Sequence, residues 1–154
     1  MIFLTGASGF VGTSVLNYFS NKSVYVSKRE HEYKIDSSTV VIHLAGKAHD
    51  LKNITRPNEY YQVNTELTKK IFDAFVASKA KVFITLSSVK ALADEVKGAL
   101  TEEYLPNPIT HYGKSKLLAE KYILSQQIPE GKRVFILRPC MIHGPGNKGN
   151  LNLL

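Results

Sequence analysis

The chain has 154 residues, which is enough for one domain with a sizeable core. Its 44% hydrophobic and 21% charged residues are typical of a globular protein and exclude the disordered and fibrous classes. The formal net charge of +7 would suit an anionic partner, but the lysines are scattered and no block of five or six like charges occurs. We therefore assign the excess charge to solvated surface and predict no nucleic-acid partner.

The N-terminus and the cysteine content indicate the compartment. The single cysteine, Cys140, excludes an internal disulfide and fits a reducing environment. The start of the chain, Met1–Gly6, lacks the basic flank and long apolar stretch of a signal peptide. No run approaches the roughly 20 apolar residues of a membrane helix. We expect a soluble cytoplasmic protein without a membrane partner, and no metal site, since no histidine pair has metal-ligand spacing.

Short apolar runs alternate with amphipathic stretches along the chain. In chain order, the pattern predicts a strand over 1–5, a helix over 9–20, strands over 23–27 and 39–45, a helix over 58–78, a strand over 81–87, a helix over 110–127 and a strand over 133–138. This alternation predicts βαβ units and hence an α/β fold with a doubly wound, Rossmann-type parallel sheet. The interval between the second and third strands is too short for a full crossover helix, so we expect a loop or a single turn there.

A glycine-rich turn joins the first strand to the first helix. Gly6, Gly9 and Gly12 follow one another at a spacing of three. Gly6 permits the tight turn, Gly9 lets a pyrophosphate approach the backbone, and Gly12 lets the helix pack closely on the sheet. The helix N-terminus offers free N–H groups and a partial positive charge to the phosphates. The predicted cofactor-binding residues of this segment are Gly6, Ala7, Ser8, Gly9, Phe10, Val11 and Gly12.

Further segments resemble the extended short-chain dehydrogenases/reductases, the NAD(P)-dependent nucleotide-sugar epimerase/dehydratase family. The segments that carry the resemblance, in the family's order, are Val41–Gly46 (VIHLAG), Val63–Asn64, Leu86–Lys90 (LSSVK), Tyr112–Lys116 (YGKSK) and Leu137–Pro139 (LRP). The resemblance covers the whole chain and implies a nicotinamide cofactor. Ser87–Lys90 and Gly144–Asn150 are most similar to bacterial members that act on UDP-linked sugars for surface polysaccharides, as 4-epimerases or 4-keto reductases. Dehydration is the least expected reaction, because Val89 and Lys90 stand where the resemblance to that subgroup would require an acidic pair.

The predicted catalytic residues are Tyr112, Lys116 and Ser88. Tyr112 and Lys116 are four residues apart on a predicted helix, so both project from one face. A tyrosine of pKa about 10 is a poor base at neutral pH, but a neighbouring ammonium and an oxidised nicotinamide would both lower that value. The phenolate could then remove a sugar hydroxyl proton. The resemblance implies that Lys116 also binds the nicotinamide ribose and that Ser88 hydrogen-bonds the reacting oxygen.

The remaining predicted cofactor contacts follow from the resemblance and from charge. By resemblance, Leu44, Ala45 and Gly46 lie along the cofactor, Asn64 lies near it, and Asp36 contacts the adenine. At the end of the second strand, Lys28 and Arg29 stand where an acidic residue would bind the ribose of NAD. Their positive charge favours NADP. Basic loops are also common on solvated surfaces, and if this is such a loop, NAD is the alternative cofactor.

Family members are about twice this length, and their second half builds a smaller domain that holds the nucleotide sugar. We therefore interpret residues 1–154 as a single NAD(P)-binding domain, truncated before a missing C-terminal substrate domain. Such a chain should bind cofactor but turn over poorly. The alternative is a non-catalytic NAD(P)-binding sensor or docking module. The helices over 58–78 and 110–127 would suit a homodimer.

Overall fold

The structure is a computed structural model that describes residues 1–27, 33, 35, 39–48 and 56–144. Three predicted cofactor contacts, Lys28, Arg29 and Asp36, lie outside the described residues. Most of the segment between the second and third strands and the tail from residue 145 onwards also lie outside them.

The described elements follow the predicted order. The strands are β1 Ile2–Thr5, β2 Val24–Val26, β3 Val40–His43, β4 Val82–Leu86 and β5 Arg133–Leu137. The helices are α1 Phe10–Tyr18, α2 Pro57–Tyr60, α3 Leu67–Ala77 and α4 His111–Ser125. A π-helical segment, Tyr61–Glu66, joins α2 to α3, and a 3₁₀ turn, Val89–Ala91, follows β4. The predicted ends are confirmed to within one or two residues, but the π-helical segment and the 3₁₀ turn were not predicted.

All five strands pair in parallel, in the order β2-β1-β3-β4-β5. The strand order reverses at β1, which has β2 on one side and β3 on the other. In a doubly wound sheet, ligands bind beyond the carboxyl ends of the strands at such a switch point. The crevice beyond Thr5 and His43, which are paired in register, is therefore the place where a ligand is expected. The predicted Rossmann-type α/β fold is confirmed.

Helices cover both faces of the sheet. Alternate side chains of a strand point to opposite faces, so neighbours in β1 enter different cores. Phe3 packs with Val41, Phe83 and the phenylalanines of α3, whereas Leu4 packs with Ile42 and the apolar side of α1. This two-sided burial explains why β1 and β3 are almost continuously apolar.

Lys132 links the start of β5 to the end of α3 by hydrogen bonds. Its Nζ donates to the carbonyl oxygens of Phe75, Ser78 and Ala80 at 2.9, 2.6 and 2.7 Å. The ammonium also lies 4.5 Å from the centre of the Phe75 ring. Two of these carbonyls, of Phe75 and Ser78, lie at the end of α3, where carbonyls have no partner within the helix and carry partial negative charge, so one cation satisfies both.

Candidate active site

The turn between β1 and α1 packs directly on the end of β3. Gly6 adopts a positive φ of 73°, as the tight turn predicted. A Cβ at Gly6 would lie 2.5 Å from the amide nitrogen of Ala45 and 2.6 Å from the carbonyl carbon of Leu44. Glycine is therefore required both by the backbone conformation and by the space. The turn and the Leu44–Gly46 segment thus meet at the switch point of the sheet.

The other two glycines of the turn differ in their surroundings. A Cβ at Gly12 would lie 2.0 Å from the carbonyl oxygen of Gly6 and 2.8 Å from the Cα of Ala7. The nearest contact of Gly12 is therefore with the turn that directly follows β1. Gly9 is exposed, and a Cβ there would meet only the Gly6 oxygen at 3.2 Å. Its surface is open to an approaching ligand.

The first turn of α1 can receive an anion. No side chain caps this helix, and its first turn contains no acidic residue. The first amide groups of a helix have no partner within it and carry partial positive charge. Ser8 is exposed, and Phe10 and Val11 are partly exposed beside these amides, whereas Ala7 is buried. The arrangement suits a phosphate or diphosphate.

A hydrogen-bond chain behind the turn connects three elements. Thr5 Oγ1 accepts from the amide of Ala45 at 3.2 Å and lies 2.7 Å from His43 Nδ1. His43 Nε2 lies 2.9 Å from Thr68 Oγ1, which donates to the carbonyl of Asn64. Thr68 must therefore accept from Nε2–H, and Nδ1 must accept from the Thr5 hydroxyl. This order requires a neutral imidazole, and burial lowers the pKa of His43 to about 3.

Asn64 lies in the π-helical segment and is fully buried. Its Oδ1 accepts from the amide of Lys47 at 2.7 Å, and its Nδ2 donates to the Lys47 carbonyl and to Ser115 Oγ, each at 3.0 Å. Ser115 Oγ in turn donates to the carbonyl of Tyr112 at 2.8 Å. In this structure the amide contacts protein groups, so Asn64 holds the chain after β3 against α4. Direct contact with a cofactor stays a prediction.

Lys116 is directed inward from α4. The residue is 9% exposed, and its Nζ donates to the carbonyl of Leu86, at the end of β4, at 2.8 Å. A Cβ at Gly46 would lie 3.2 Å from this Nζ and 3.3 Å from Asn64 Oδ1. Burial lowers the pKa of Lys116 to about 8, and the charge of Glu120 acts in the opposite direction. Lys116 and Asn64 therefore lie beside Gly46.

Tyr112 and Ser88 are neighbours at the end of β4. Burial raises the pKa of the Tyr112 phenol, the hydroxyl of Ser88 lowers it by hydrogen bonding, and Tyr60 raises it. We expected the Lys116 ammonium to lower this pKa. In the structure described burial prevails, and the ammonium donates to the Leu86 carbonyl. That the ammonium and an oxidised nicotinamide together lower this pKa stays a prediction. Ser88 Oγ also accepts from the amide of Lys90 at 3.2 Å.

A buried ion pair near Lys116 was not anticipated. Glu120, whose side chain is 3% exposed, accepts from Arg138 Nη2 at 2.6 Å and from Arg138 Nε at 3.1 and 3.2 Å. Bidentate pairs of this kind have a defined geometry. The available signal was the spacing, because Glu120 follows Lys116 by four residues and lies on the same helix face. The pair joins α4 to the end of β5.

Two further findings concern the residues described by the structure. None of their helices is long and apolar enough to cross a membrane. They also contain no group of three or more His, Cys, Asp or Glu side chains arranged to bind a metal ion.

The parallel sheet, its strand order and the glycine turn define a domain of the Rossmann type. A family model described as "NAD dependent epimerase/dehydratase family" matches residues 27–153. The chain belongs to this family, as its motifs predicted.

Individual relatives show what kinds of enzyme the chain resembles. The UDP-glucose 4-epimerase of Vibrio cholerae is 30% identical, over 97% of this chain and 54% of the relative. The structure of RMD from Pseudomonas aeruginosa complexed with NADPH is 30% identical with a TM-score of 0.76, over 96% of this chain and 56% of the other. The structure of MoeE5 in complex with UDP-glucuronic acid and NAD is 25% identical with a TM-score of 0.81, over 97% of this chain and 57% of the other. The chain thus spans little more than half the length of these relatives.

Substitution of Gly12 by alanine should disrupt the glycine turn. A Cβ placed 2.0 Å from a backbone oxygen cannot be accommodated without movement of α1 or of the turn. We expect Gly12→Ala to lower the free energy of unfolding by about 2 kcal/mol or more, measured by urea denaturation. Ser14→Ala, an exposed change on the same helix, is the control. Equal stability of the two variants would contradict the close packing.

Substitution of Asn64 by alanine should be costly because it leaves the main-chain groups of Lys47 without their partner. We expect Asn64→Ala to lower the free energy of unfolding by about 3 kcal/mol. Asn58→Ala, at an exposed position of α2, should change it by less than about 0.5 kcal/mol. An effect of Asn64→Ala no larger than that of its control would show that the amide does not hold these elements together.

The buried imidazole of His43 should make stability fall in acid. Below about pH 6.5 the unfolded chain takes up a proton at this histidine, whereas the folded chain does so only near pH 3. The unfolded state is therefore favoured increasingly as the pH falls from 6.5 to 3, by about 1.4 kcal/mol per pH unit for one proton. Denaturation of the wild type and of His43→Gln between pH 4.5 and 6, referred to pH 8, measures this slope. Equal slopes would contradict the assignment.

Proposed function

We propose that residues 1–154 form the NAD(P)-binding domain of an enzyme that oxidises and reduces C4 of a UDP-linked sugar, as a 4-epimerase or 4-keto reductase in surface polysaccharide synthesis. The observation that carries the proposal is the convergence of Tyr112, Ser88 and Lys116 at the carboxyl ends of the strands, beside Gly46 and the glycine turn. Membership of the family and the UDP-glucose 4-epimerase and UDP-sugar complexes among its relatives support the substrate class.

The residues present fit a dinucleotide. The amides at the start of α1 and the exposed Gly9 would receive the diphosphate. The resemblance assigns the nicotinamide ribose to Lys116, and this buried ammonium lies beside Gly46 of the predicted cofactor-binding segment. A bound nicotinamide would supply the hydride acceptor and donor of the reaction.

Tyr112 would transfer the proton that accompanies the hydride. The phenol is kept neutral by burial, which suits a group that must hold its proton until substrate and a positively charged ring are present. Tyr112 would then take the proton of the sugar hydroxyl during oxidation and return it to the ketone during reduction. Ser88, whose hydroxyl lowers the pKa of the phenol, would donate to the reacting oxygen and hold it in line.

The choice between NADP and NAD depends on Lys28 and Arg29. Their positive charge supports a preference for NADP, through contact with its 2′-phosphate. The similar structures include complexes with NADPH and with NAD, so nicotinamide cofactors of both kinds occur in this fold.

We further propose a homodimer formed through the helices on the α3–α4 side. Leu118 and Leu124 of α4 are 46% and 71% exposed, and their burial in a second copy would be favourable.

Fluorescence titration of the chain with NADPH and NADH tests the cofactor. We expect saturable binding, tighter for NADPH. Gly9→Asp places a negative charge at the proposed diphosphate site and should weaken binding about tenfold or more. Asn17→Asp introduces the same charge at an exposed position farther along α1 and should have little effect. Absence of binding, or equal loss in both variants, would reject the site, and much tighter binding of NADH would reject the NADP preference.

Tyr112→Phe separates an enzyme from a non-catalytic binding module. In the polypeptide that includes the family's second half, this change should abolish turnover of the UDP-sugar while cofactor affinity stays nearly the same. Turnover that survives the change would show that Tyr112 is not the proton-transferring group. Absence of turnover in the wild type with cofactor bound would favour the sensor or docking module.

A further inference from the structure

A small cavity with a mixed polar and apolar wall lies beneath Lys116, between α4 and the ends of β4 and β5. Its volume is about 10 Å³, and its wall includes the polar residues Thr85, Ser87, Lys116 and Glu120 and the apolar residues Ile123 and Ile136. A volume of this size is at the lower bound for one ordered water molecule. Empty cavities in proteins are apolar, whereas a serine, a lysine and a glutamate contribute to the wall of this one.

The hydroxyl of Ser87 is the group in this cavity that needs a hydrogen-bond partner. Ser87 is 6% exposed, and its Oγ has no hydrogen-bond partner among the residues that the structure describes. Its main chain is held in the sheet, because its amide donates to the carbonyl of Leu137 at 2.7 Å. A buried hydroxyl without a partner is costly, and ordered water is the usual partner when protein groups do not provide one.

The two charged residues of the wall have capacity for a further hydrogen bond. The ammonium of Lys116 carries three donors, and the described residues provide one acceptor for it, the Leu86 carbonyl at 2.8 Å. Glu120 Oε2 accepts from both Nε and Nη2 of Arg138, whereas Oε1 accepts from Nε alone and has a second lone pair. A water molecule between them could accept from the ammonium and donate to the carboxylate and to the serine oxygen.

We propose that this cavity binds a single water molecule held by Ser87, Lys116 and Glu120, and that Ser87, through this water, is a positioning residue for the Lys116 ammonium. The water partly replaces the hydration that Lys116 loses on burial. It also links the ammonium to the Glu120 carboxylate through hydrogen bonds. The water site follows from the fold alone. Only the importance of the Lys116 position for turnover rests on the proposed function.

Ser87→Ala and thermal unfolding of the chain distinguish a hydrated from a dry cavity. If water is bound, the variant removes one of its partners, and Tm should fall by about 2–4 °C. If the cavity is dry, the variant removes an unpaired buried hydroxyl, and Tm should rise. Ser20→Ala, which removes an exposed hydroxyl, is the control and should leave Tm unchanged. A rise in Tm for Ser87→Ala would overturn the proposal.

Titration of Lys116 by NMR tests its positioning, which a purely structural role of Ser87 would not affect. The side-chain signals of Lys116 can be assigned with Lys116→Met and followed from pH 6 to 11. Ser87→Val fills the cavity with methyl groups and should lower the titration midpoint by about one pH unit, since an ammonium that loses a hydrogen bond is more easily deprotonated. An unchanged midpoint would overturn the proposal.

The water itself can be detected by its nuclear Overhauser effect on the Ser87 amide proton. The signal should be present in the wild type and lost in Ser87→Val, and its absence from the wild type would overturn the proposal. None of these readouts requires a cofactor or a substrate. A chain that shows the water but does not bind a nicotinamide dinucleotide would refute the proposed function and leave this site intact.

Discussion

The arrangement of the site depends on how closely three stretches of backbone approach one another where β1 and β3 end. The glycine turn touches the Leu44–Ala45 backbone on one side and the first turn of α1 on the other, and in both directions the space of a single Cβ is already occupied. This close approach brings the α1 amides to the crevice of the sheet. It also aligns the N-terminal end of α1 with Gly46, beside which Lys116 lies. A side chain at Gly6 or Gly12 would separate these parts.

Buried polar groups hold the other half of the site in register. The chain Thr5–His43–Thr68 connects the end of β1 to the helix that follows β3, and Asn64 connects that helix to the chain after β3 and to α4. Because these groups are buried, any displacement would leave donors or acceptors without partners, which is expensive in a medium of low polarity. Networks of this kind specify one arrangement of the elements. They position α4, and α4 carries Tyr112 and Lys116 to the end of β4.

Burial of the charged and titratable groups is the cost of this arrangement. Lys116 is more buried than is usual for lysine, and its lowered pKa reflects the solvation it has lost. Tyr112 is likewise kept in its neutral form. Both shifts disfavour charge in the structure described. Functional sites commonly keep such unfavourable groups at the expense of stability.

The local features of the fold could be predicted from sequence, whereas the contacts between distant segments could not. Short apolar runs rich in β-branched residues predicted each strand, and the spacing of Gly6, Gly9 and Gly12 predicted the turn. These properties depend on neighbouring residues only. His43 could be interpreted only as a core residue, since its partners Thr5 and Thr68 are 38 and 25 residues away. The π-helical segment had no local signal, because the amide of Asn64 there bonds outside its own helix. The partner of Lys116 could not be predicted for a similar reason: spacing indicated the helix face but not the carbonyl of Leu86 that receives the ammonium.

The most direct test of the account is a crystal structure of this chain with NADP⁺ or NAD⁺. We predict the diphosphate within hydrogen-bonding distance of the amide groups in the first turn of α1, the ribose of the nicotinamide at Lys116, and the nicotinamide ring beside the Tyr112 hydroxyl. A dinucleotide bound elsewhere, or a diphosphate remote from the glycine turn, would contradict it.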